Sequence, residues 1–426
     1  MSEAVQGPAQ LPGDSVKPAP HTGNQPKPKL GALGVLLFQA NFGWMFASGI
    51  SGTLLPALME QVDASAKVAL YGTLSSIGGL TGLVANIVFG SVSDRTRSRW
   101  GRRNPWILGG GLLAGLSLAA MSLATAFPTL VLLFVAYEIG LNMLLAPLAA
   151  VLPDRVHPNR RGLASTLIGC GTLLAQSLGA VVGAAFLSDI RLGLGTIPLI
   201  VCLTSALFVV FARDKSNRDQ PKVELTFREV LRTFRIPLDR DYLFALFGRM
   251  LLLLAFNCVL MYKLYILQDY LHLSKAGVAG AIAISGTLMA VSAAIGTLVS
   301  GPLSDLIKRR KPLVVAASLV IGATFVPLIL WPSRTTFLLF IGFAGLAYGV
   351  YIAVDQALMT DVLPNDAAHG KDMGILNIAN TAPRFVTPAL AALAFSTGLG
   401  YRMLFILAVA LAVLSAVLIG AIRRVR

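Results

Sequence analysis

Long apolar runs dominate the chain, and short polar links separate them. Most of the runs reach about 20 residues, which is the length an α-helix needs to cross the hydrocarbon core of a bilayer. Lipid offers no water to exposed backbone groups, so a spanning segment must satisfy its own hydrogen bonds, as a helix does. The pattern therefore predicts an all-α membrane protein with many crossings.

Counting these runs predicts twelve transmembrane helices. The longest polar link, 213–239, mixes both charge signs and divides the helices six and six. Residues 1–30 hold six prolines and no apolar core, which predicts a disordered tail. No cleavable signal peptide is visible, so we expect the first span to direct insertion. The predicted spans are 31–59, 66–92, 106–126, 129–152, 162–187, 193–212, 240–262, 276–302, 313–331, 335–360, 372–397 and 401–422.

These spans give four regions along the chain. We predict a disordered cytoplasmic tail at 1–30 and an N-terminal six-helix bundle at 31–212. A cytoplasmic linker at 213–239 then leads to a second six-helix bundle at 240–426, which ends in a short cytoplasmic tail.

Positive charge is distributed unevenly between the two sides of the predicted bundle. With the N-terminus inside, and with residues at the span ends counted with the nearest link, 27 of the 35 Lys and Arg residues fall in inner segments and six in outer links. Cytoplasmic loops of membrane proteins collect Lys and Arg, so both termini are predicted to be cytoplasmic and the protein to be a multi-pass protein of the cell membrane. The same bias accounts for the net charge of +15 without nucleic acid as a partner.

Several classes of activity lack the residues they need. The three cysteines, Cys170, Cys202 and Cys258, fall in apolar spans, and no Cys/His spacing suits a metal. No Walker motif points to a pump, and no nucleophile–base set points to an enzyme. We expect no cofactor and no metal. The expected partners are the lipid bilayer and a small-molecule substrate, and we expect a monomer.

One short pattern occurs twice. The stretch "GSVSD" at 90–94 matches "GPLSD" at 301–305, and "RRNP" at 102–105 matches "RRKP" at 309–312. Each pair lies between the second and third spans of its half. Duplicated bundles are typical of secondary transporters, because a site at their interface can face either side as the bundles rock.

The repeat also suggests a cytoplasmic gate. Its glycines would let helices approach closely, and its aspartates would cap a helix or pair with the arginines of 95–103. Such a clasp would hold the two halves shut on the cytoplasmic side. The alternative is that the arginines only fix the topology. The candidate gate residues are Gly90, Asp94, Arg95, Arg102, Arg103, Gly301 and Asp305.

Four ionisable residues fall inside the predicted spans: Glu138, Arg249, Asp355 and Arg384. Charges in a bilayer span are costly, so each is a functional candidate. The two acids are candidates for proton coupling, and Arg384 needs an acid near the midplane, for which Glu138 is the predicted partner. A structural ion pair is the alternative for the acids, and Arg249 could instead extend to the cytoplasmic surface.

Polar and aromatic side chains within the spans are candidates for lining a substrate cavity. Amides can also hold neighbouring helices together, and tyrosines can simply pack, so both alternatives stay open. The candidates are Gln39, Asn41, Trp44, Asn142, Arg249, Asn257, Tyr348, Tyr351, Asn377, Asn380 and Arg384.

Three stretches carry a family resemblance. Gly-x-x-x-Asp-Arg followed by Gly-Arg-Arg resembles the loop signature of the major facilitator superfamily. The fuller stretch "SDRTRSRWGRRNPWI" at 93–107 looks like the plant sucrose–proton symporters and their relatives in the glycoside–pentoside–hexuronide group. The stretches "NFGWMFASGISGTLLP" at 41–56 and "EIGLNMLLAP" at 138–147 are similar to the first and fourth spans of those symporters.

The resemblance implies two pseudo-symmetric six-helix bundles and transport by alternating access. It further implies proton-coupled symport of a glycoside or related small polar solute, with sodium a less favoured coupling ion, and it assigns Glu138 to proton handling. Ala149 stands where the plant symporters carry an arginine that serves coupling and sugar binding, which argues against sucrose itself. The alternatives are a proton-coupled efflux carrier for drugs or natural products and, more remotely, a membrane receptor or scaffold that does not transport.

Overall fold

The computed structural model describes residues 30–214, 216, 239–307, 311–362 and 369–423, without the side chains of 30, 158, 301–307, 356–362 and 369–378. Most of the predicted tail at 1–30 and of the linker at 213–239 lies outside the described residues.

The described part of the chain folds into twelve long helices with no strand, so the all-α prediction is confirmed. Ten of the helices are long and apolar enough to cross a membrane, and Asn104–Ala120 is a shorter apolar helix. The helices are α1 Leu30–Val62, α2 Lys67–Arg95, α3 Asn104–Ala120, α4 Phe127–Arg155, α5 Arg161–Ala185, α6 Ile190–Thr196 with Leu199–Phe211, α7 Arg240–Tyr265, α8 Lys275–Ile307, α9 Lys311–Leu330, α10 Arg334–Val362, α11 His369–Ser396 and α12 Tyr401–Gly420.

Two helices depart from the predicted spans. Helix α6 is interrupted between Thr196 and Leu199, where Pro198 has no N–H group to donate to a helical hydrogen bond. Helix α7 runs past the predicted end at 262 and continues as a π-helical turn, Ile266–Tyr270. Lys263 therefore lies within a helix and not in a link.

The α1–α2 link is a tight turn built on one carboxylate. Asp63 Oδ1 accepts hydrogen bonds from the Ser65 hydroxyl at 2.6 Å, the Ser65 N–H at 2.8 Å and the Ala66 N–H at 3.2 Å. These bonds favour the charged form and hold the pKa of Asp63 below its usual value. The turn fixes where α2 begins and so the position of Lys67, its first residue.

The helices pack as two groups, α1–α6 and α7–α12. In the first group α1 packs on α5 and α4 packs on α2 and α3; in the second α8 packs on α10, and α12 packs on α7 and α9. Gly110 and Gly140 bring α3 and α4 to backbone contact, since a Cβ on Gly140 would lie 2.5 Å from the Ala114 nitrogen. The two halves meet along α5 with α8 and along α2 with α11.

The contacts between the halves are concentrated at one end. We call the end that holds the α2–α3 link the inner end, and the end that holds the α1–α2 link the outer end. At the outer end Lys67 pairs with Asp269 at 2.8 Å, and Gln268 donates to Glu60 at 3.0 Å. The Tyr265 hydroxyl donates to the Pro56 carbonyl at 2.8 Å, directly beneath these pairs.

No hydrogen bond or ion pair between two described residues joins the halves at the inner end. Asn380 and Arg384 on α11, which lie toward this end and the middle of the bundle, have exposed side chains. The described contacts therefore close the outer end of the molecule, and no such contact between described residues closes the inner end.

Candidate functional site

A polar cavity of about 200 Å³ lies between the two halves below the outer contacts. Five helices supply its polar wall: α1, α2 and α4 from the first half, and α7 and α11 from the second. Its lining residues include Ser48, Ser51, Tyr71, Ser75, Tyr137, Glu138, Asn257, Leu260, Met261 and Arg384. We call it the central cavity.

Glu138 is the acid of the central cavity and is 7% exposed. Asn142, one helical turn further along α4, donates its amide to the Glu138 carbonyl at 3.0 Å and to Glu138 Oε2 at 3.4 Å. Asn86 on α2 in turn donates to Asn142 Oδ1 at 3.2 Å. Glu138 and Asn142 therefore lie on one face of α4.

A glycine on α2 makes room for this pair. A Cβ on Gly82 would lie 2.8 Å from Glu138 Oε2 and 2.9 Å from the Asn142 amide nitrogen. Such distances are too short for a methyl group, so any larger residue at this position would displace the carboxylate or its amide partner. Gly82 therefore belongs to the site.

Arg384 lines the same cavity from the opposite half. Its side chain is exposed and forms no ion pair or hydrogen bond with any described residue. The predicted partners Glu138 and Arg384 thus share one cavity without a direct contact within 4 Å between them, so the predicted ion pair is not formed in this structure. The cavity separates a buried acid from a cation that has no ion-pair partner among the described residues.

The other two ionisable residues pair with each other inside the second half. Arg249 Nη1 lies 3.1 Å from Asp355 Oδ2, and the side chains are 11% and 2% exposed. Arg249 Nε also donates to Asn380 Oδ1 at 3.0 Å. Arg249 therefore does not extend to the surface, and this pair joins α7, α10 and α11.

Several predicted cavity residues are held elsewhere in the described structure. Gln39 donates to the Thr204 carbonyl at 3.0 Å, Asn41 to the Leu37 carbonyl at 2.8 Å, and Trp44 to Asn41 at 3.2 Å. These bonds lie within the first half and do not reach the central cavity.

The two tyrosines of α10 also pack away from the cavity. Tyr348 stacks on Phe256 with ring centroids 4.7 Å apart, and Tyr351 is buried in the core of the second half. Both tyrosines thus pack against neighbouring side chains in this structure. The side chain of Asn377 lies outside the described residues.

The inner arginine cluster holds the first half together. Arg103, only 7% exposed at its side chain, pairs with Asp94 at 2.5 Å and with Asp154 at 3.1 Å, and it donates to Ser93 Oγ at 2.6 Å. Arg102 pairs with the same Asp154 oxygen at 2.7 Å. Asp154 on α4, which the sequence did not indicate, is thus the common partner of both arginines.

This geometry changes two expectations about the gate. The printed partners of Arg102 and Arg103 all lie in the first half, so no pair of described residues forms the predicted clasp between the halves. Gly90 does not permit a close approach, because a Cβ there would lie 3.9 Å from Ala146, an ordinary contact. Arg95 ends α2. The side chains of Gly301 and Asp305 lie outside the described residues.

Two features of the site were missed from the sequence. The first is the set of outer contacts around Lys67 and Asp269. The second is Lys263, which the span prediction had placed in an outer link. Lys263 lines a second cavity of about 180 Å³, which shares wall residues with the central cavity and which we call the upper cavity. The apolar stretch "LYIL" at 264–267 was the signal that α7 continues beyond this lysine.

Comparison with known proteins gives a family match over nearly all of the described chain. The model of the Major Facilitator Superfamily matches residues 37–297 and 245–426. A curated relative, an uncharacterized symporter of Synechocystis sp., is 49% identical over 47 residues. That match covers 11% of this chain and 9% of the relative, so the chain matches under a tenth of that relative's length.

Solved structures share the fold along their whole length. A bacterial homologue of the human lysosomal transporter Spinster, in an inward-facing and unoccupied conformation, has a TM-score of 0.71 at 17% identity and covers 93% of this chain and 96% of its own. The nucleoside transporter NupG has a TM-score of 0.73 at 12% identity, with coverages of 92% and 99%. A D-xylose–proton symporter has a TM-score of 0.66 at 16% identity, with coverages of 92% and 98%.

Proposed function

The chain belongs to the Major Facilitator Superfamily, and on this premise we propose that it is a proton-coupled symporter for a small polar solute. Its family and its structural neighbours are those of a transporter and not of an enzyme, in a multi-pass membrane protein. The observation that carries the finer proposal is Glu138. It is a buried carboxyl in the wall of a small polar cavity, and Arg384, which has no ion-pair partner among the described residues, lies in the opposite wall.

Glu138 has the surroundings that a proton carrier needs. Its partner Asn142 is an amide, which offers donors to an ionised carboxylate and an acceptor to a protonated one. The polar side chains of Asn142 and Asn86 lead from Glu138 toward the inner end. Arg384 attracts the ionised form across the cavity, and a solute between the two would change that attraction. Proton binding and solute binding at this site are therefore coupled.

The lining of the central cavity favours a small polar solute. Three serines and Asn257 offer hydroxyl and amide groups to a polyol. A glycoside or sugar of one ring fits this description better than a bulky lipophilic drug. The name of one structural neighbour, a D-xylose–proton symporter, supports the same class.

Transport into vesicles tests the proposal. Purified protein is screened for thermal stabilisation by small sugars and glycosides, and the best solute is used radiolabelled in proteoliposomes with an imposed pH gradient. We expect Glu138→Gln to abolish gradient-driven accumulation while exchange of solute across the membrane persists, because exchange need not cycle the proton. The matched control is Asp189→Asn, which removes an acid from the outer α5–α6 link, where it only caps a short helix.

Two outcomes would contradict the proposal. Full gradient-driven uptake by Glu138→Gln would move proton coupling to another group, with Asp355 the next candidate. Stabilisation by lipophilic drugs and not by polar solutes would instead favour an efflux carrier.

A further inference from the structure

Lys263 is a second cation in the space between the two halves. Its side chain lies in the wall of the upper cavity, with Gln176 from α5 and Ser285 from α8. Its ammonium group forms no hydrogen bond or ion pair with any described residue. The closed outer end lies above it, where Tyr265, two residues further along α7, donates to the Pro56 carbonyl. Lys263 therefore faces a cavity between the halves and not the outside.

The upper and central cavities are neighbours. Four residues line both of them: Ser48, Gly52, Tyr71 and Leu260. Leu260 is one helical turn from Lys263, so the lysine stands one turn above the wall of the central cavity. One solute molecule can thus place one end in each cavity.

The charges around the two cavities do not balance. Lys263 and Arg384 are two cations in the walls, and Glu138 is the one carboxyl that lines either cavity. The other nearby acids already have partners. Asp355 pairs with Arg249, while Glu60 and Asp269 both pair with Lys67. With Glu138 ionised, the paired cavities carry one positive charge in excess, and an unpaired ammonium group in such a place is costly unless a ligand supplies its counter-charge.

We propose that Lys263 binds a carboxylate of the transported solute, so that the substrate is a small organic acid with a polar body. This inference rests on the proposed symport and names its substrate class. The ammonium group offers three donors to the carboxylate, and charge-assisted hydrogen bonds of this kind are the strong ones. The Ser285 hydroxyl donates to the Ile282 carbonyl at 2.8 Å, so its oxygen can accept a hydrogen bond from the Lys263 ammonium group. The hydroxyls of the solute then face Ser48 and Asn257 in the central cavity.

The charges in the cavities determine how much net charge each transport cycle moves. An anion with one negative charge enters together with the one proton that Glu138 takes up, so the loaded and the empty carrier have the same net charge. Transport of one acid anion with one proton is therefore electroneutral. Transport of one neutral sugar with one proton would move one positive charge in each cycle.

Binding to the purified full-length protein is the first test. D-Glucuronate and D-glucose share a pyranose ring and differ at C6, which is a carboxylate in one and a hydroxymethyl group in the other. Isothermal titration should show at least tenfold tighter binding of D-glucuronate, which corresponds to about 1.4 kcal/mol. Lys263→Met should weaken D-glucuronate binding at least tenfold and leave D-glucose binding within twofold, whereas Lys263→Arg should retain the preference for the acid.

Two further arms make the binding test decisive. Lys275→Met removes a cation at the start of α8, outside both cavities, and should change neither affinity. Glucose 6-phosphate is included to separate a carboxylate site from a general anion site. Equal binding of D-glucuronate and D-glucose, unchanged acid preference in Lys263→Met, tighter binding of the phosphate, or no binding of either acid or phosphate would each overturn the proposal.

A transport test separates this inference from the proposed function. Proteoliposomes carry an inward pH gradient, and valinomycin with potassium sets the membrane potential. Uptake of D-glucuronate should depend on the pH gradient and vary by less than twofold with the potential. Potential-driven uptake of a neutral sugar would overturn the anion proposal and leave proton coupling intact. Uptake of D-glucuronate that does not depend on the pH gradient, but is lost in Lys263→Met, would support the anion site and overturn proton coupling.

Discussion

Lys67 is the residue whose replacement tests the outer closure most directly. Its ammonium nitrogen lies 2.9 Å from Glu60 Oε1 in its own half and 2.8 Å from Asp269 Oδ1 in the other half. Only 11% of its side chain is exposed, so water and salt screen these pairs less than they would at an open surface. The Lys67→Met substitution removes the cation and leaves two carboxylates facing each other across the halves.

The expected size of the effect follows from these contacts. One hydrogen bond to a charged group contributes about 1.5–3 kcal/mol. Glu60 and Asp269 are 33% and 36% exposed, which places the loss toward the lower part of that range. We therefore expect Lys67→Met to destabilise the outer-closed state by about 2 kcal/mol. Since about 1.4 kcal/mol is a tenfold change, the ratio of outer-open to outer-closed molecules should rise roughly 25-fold.

Spin-label distances across the outer end measure this ratio. Labels are attached at Ala64→Cys and Ala276→Cys, two exposed alanines at the outer end of opposite halves, in protein whose native cysteines are replaced. Lys67→Met should add a population at longer distance. The control Arg191→Met removes another outer cation, which bonds to the Ser122 carbonyl within the first half at 2.8 Å, and should add none. An unchanged distribution in Lys67→Met, or equal broadening in both variants, would refute the reasoning.

Two stability predictions follow from the packing. Gly140→Ala should destabilise the protein by about 1–3 kcal/mol and lower its melting temperature in detergent, because the added Cβ would collide with the backbone of α3. In the control Gly169→Ala the added Cβ meets nothing within 4 Å, so the melting temperature should not fall. Asp355→Asn should cost about 3–5 kcal/mol, because Arg249 is left buried without its counter-charge. The double variant Asp355→Leu with Arg249→Met should recover most of the melting temperature that Asp355→Asn loses. A double variant no more stable than Asp355→Asn would contradict the assignment of Asp355 as the counter-charge of Arg249.

Hydropathy predicted the helices well because each crossing is a local property of the chain. The predicted span 129–152 lies within α4, Phe127–Arg155, and the shared face of Glu138 and Asn142 follows from the helical repeat alone. The partner of a charged residue is not local. Arg249 and Asp355 are far apart in sequence, and only the packing of α7 on α10 brings them together.

Lys263 shows where hydropathy fails. A span prediction treats a lysine near the end of an apolar run as the border of the membrane, because lipid cannot solvate an ammonium group. A polar cavity between two helix bundles can accommodate that group, and the one-dimensional pattern contains no information about the cavity. The same limit explains Gln39 and Asn41, whose amides were predicted to face a solute but instead bond to backbone carbonyls within the first half.

The π-helical turn at Ile266–Tyr270 has a consequence for how such a carrier can diversify. In this turn the Leu271 N–H reaches back five residues to the Ile266 carbonyl, at 2.9 Å, so the turn holds one residue more than an α-helical turn would. Loss of a single codon here would restore a regular helix and rotate everything after it by about 100°. Asp269 would then leave Lys67, while Asn257 and Lys263 would stay in place. A single insertion or deletion can thus change how tightly the outer end closes in a descendant protein without altering which solute its cavity accepts.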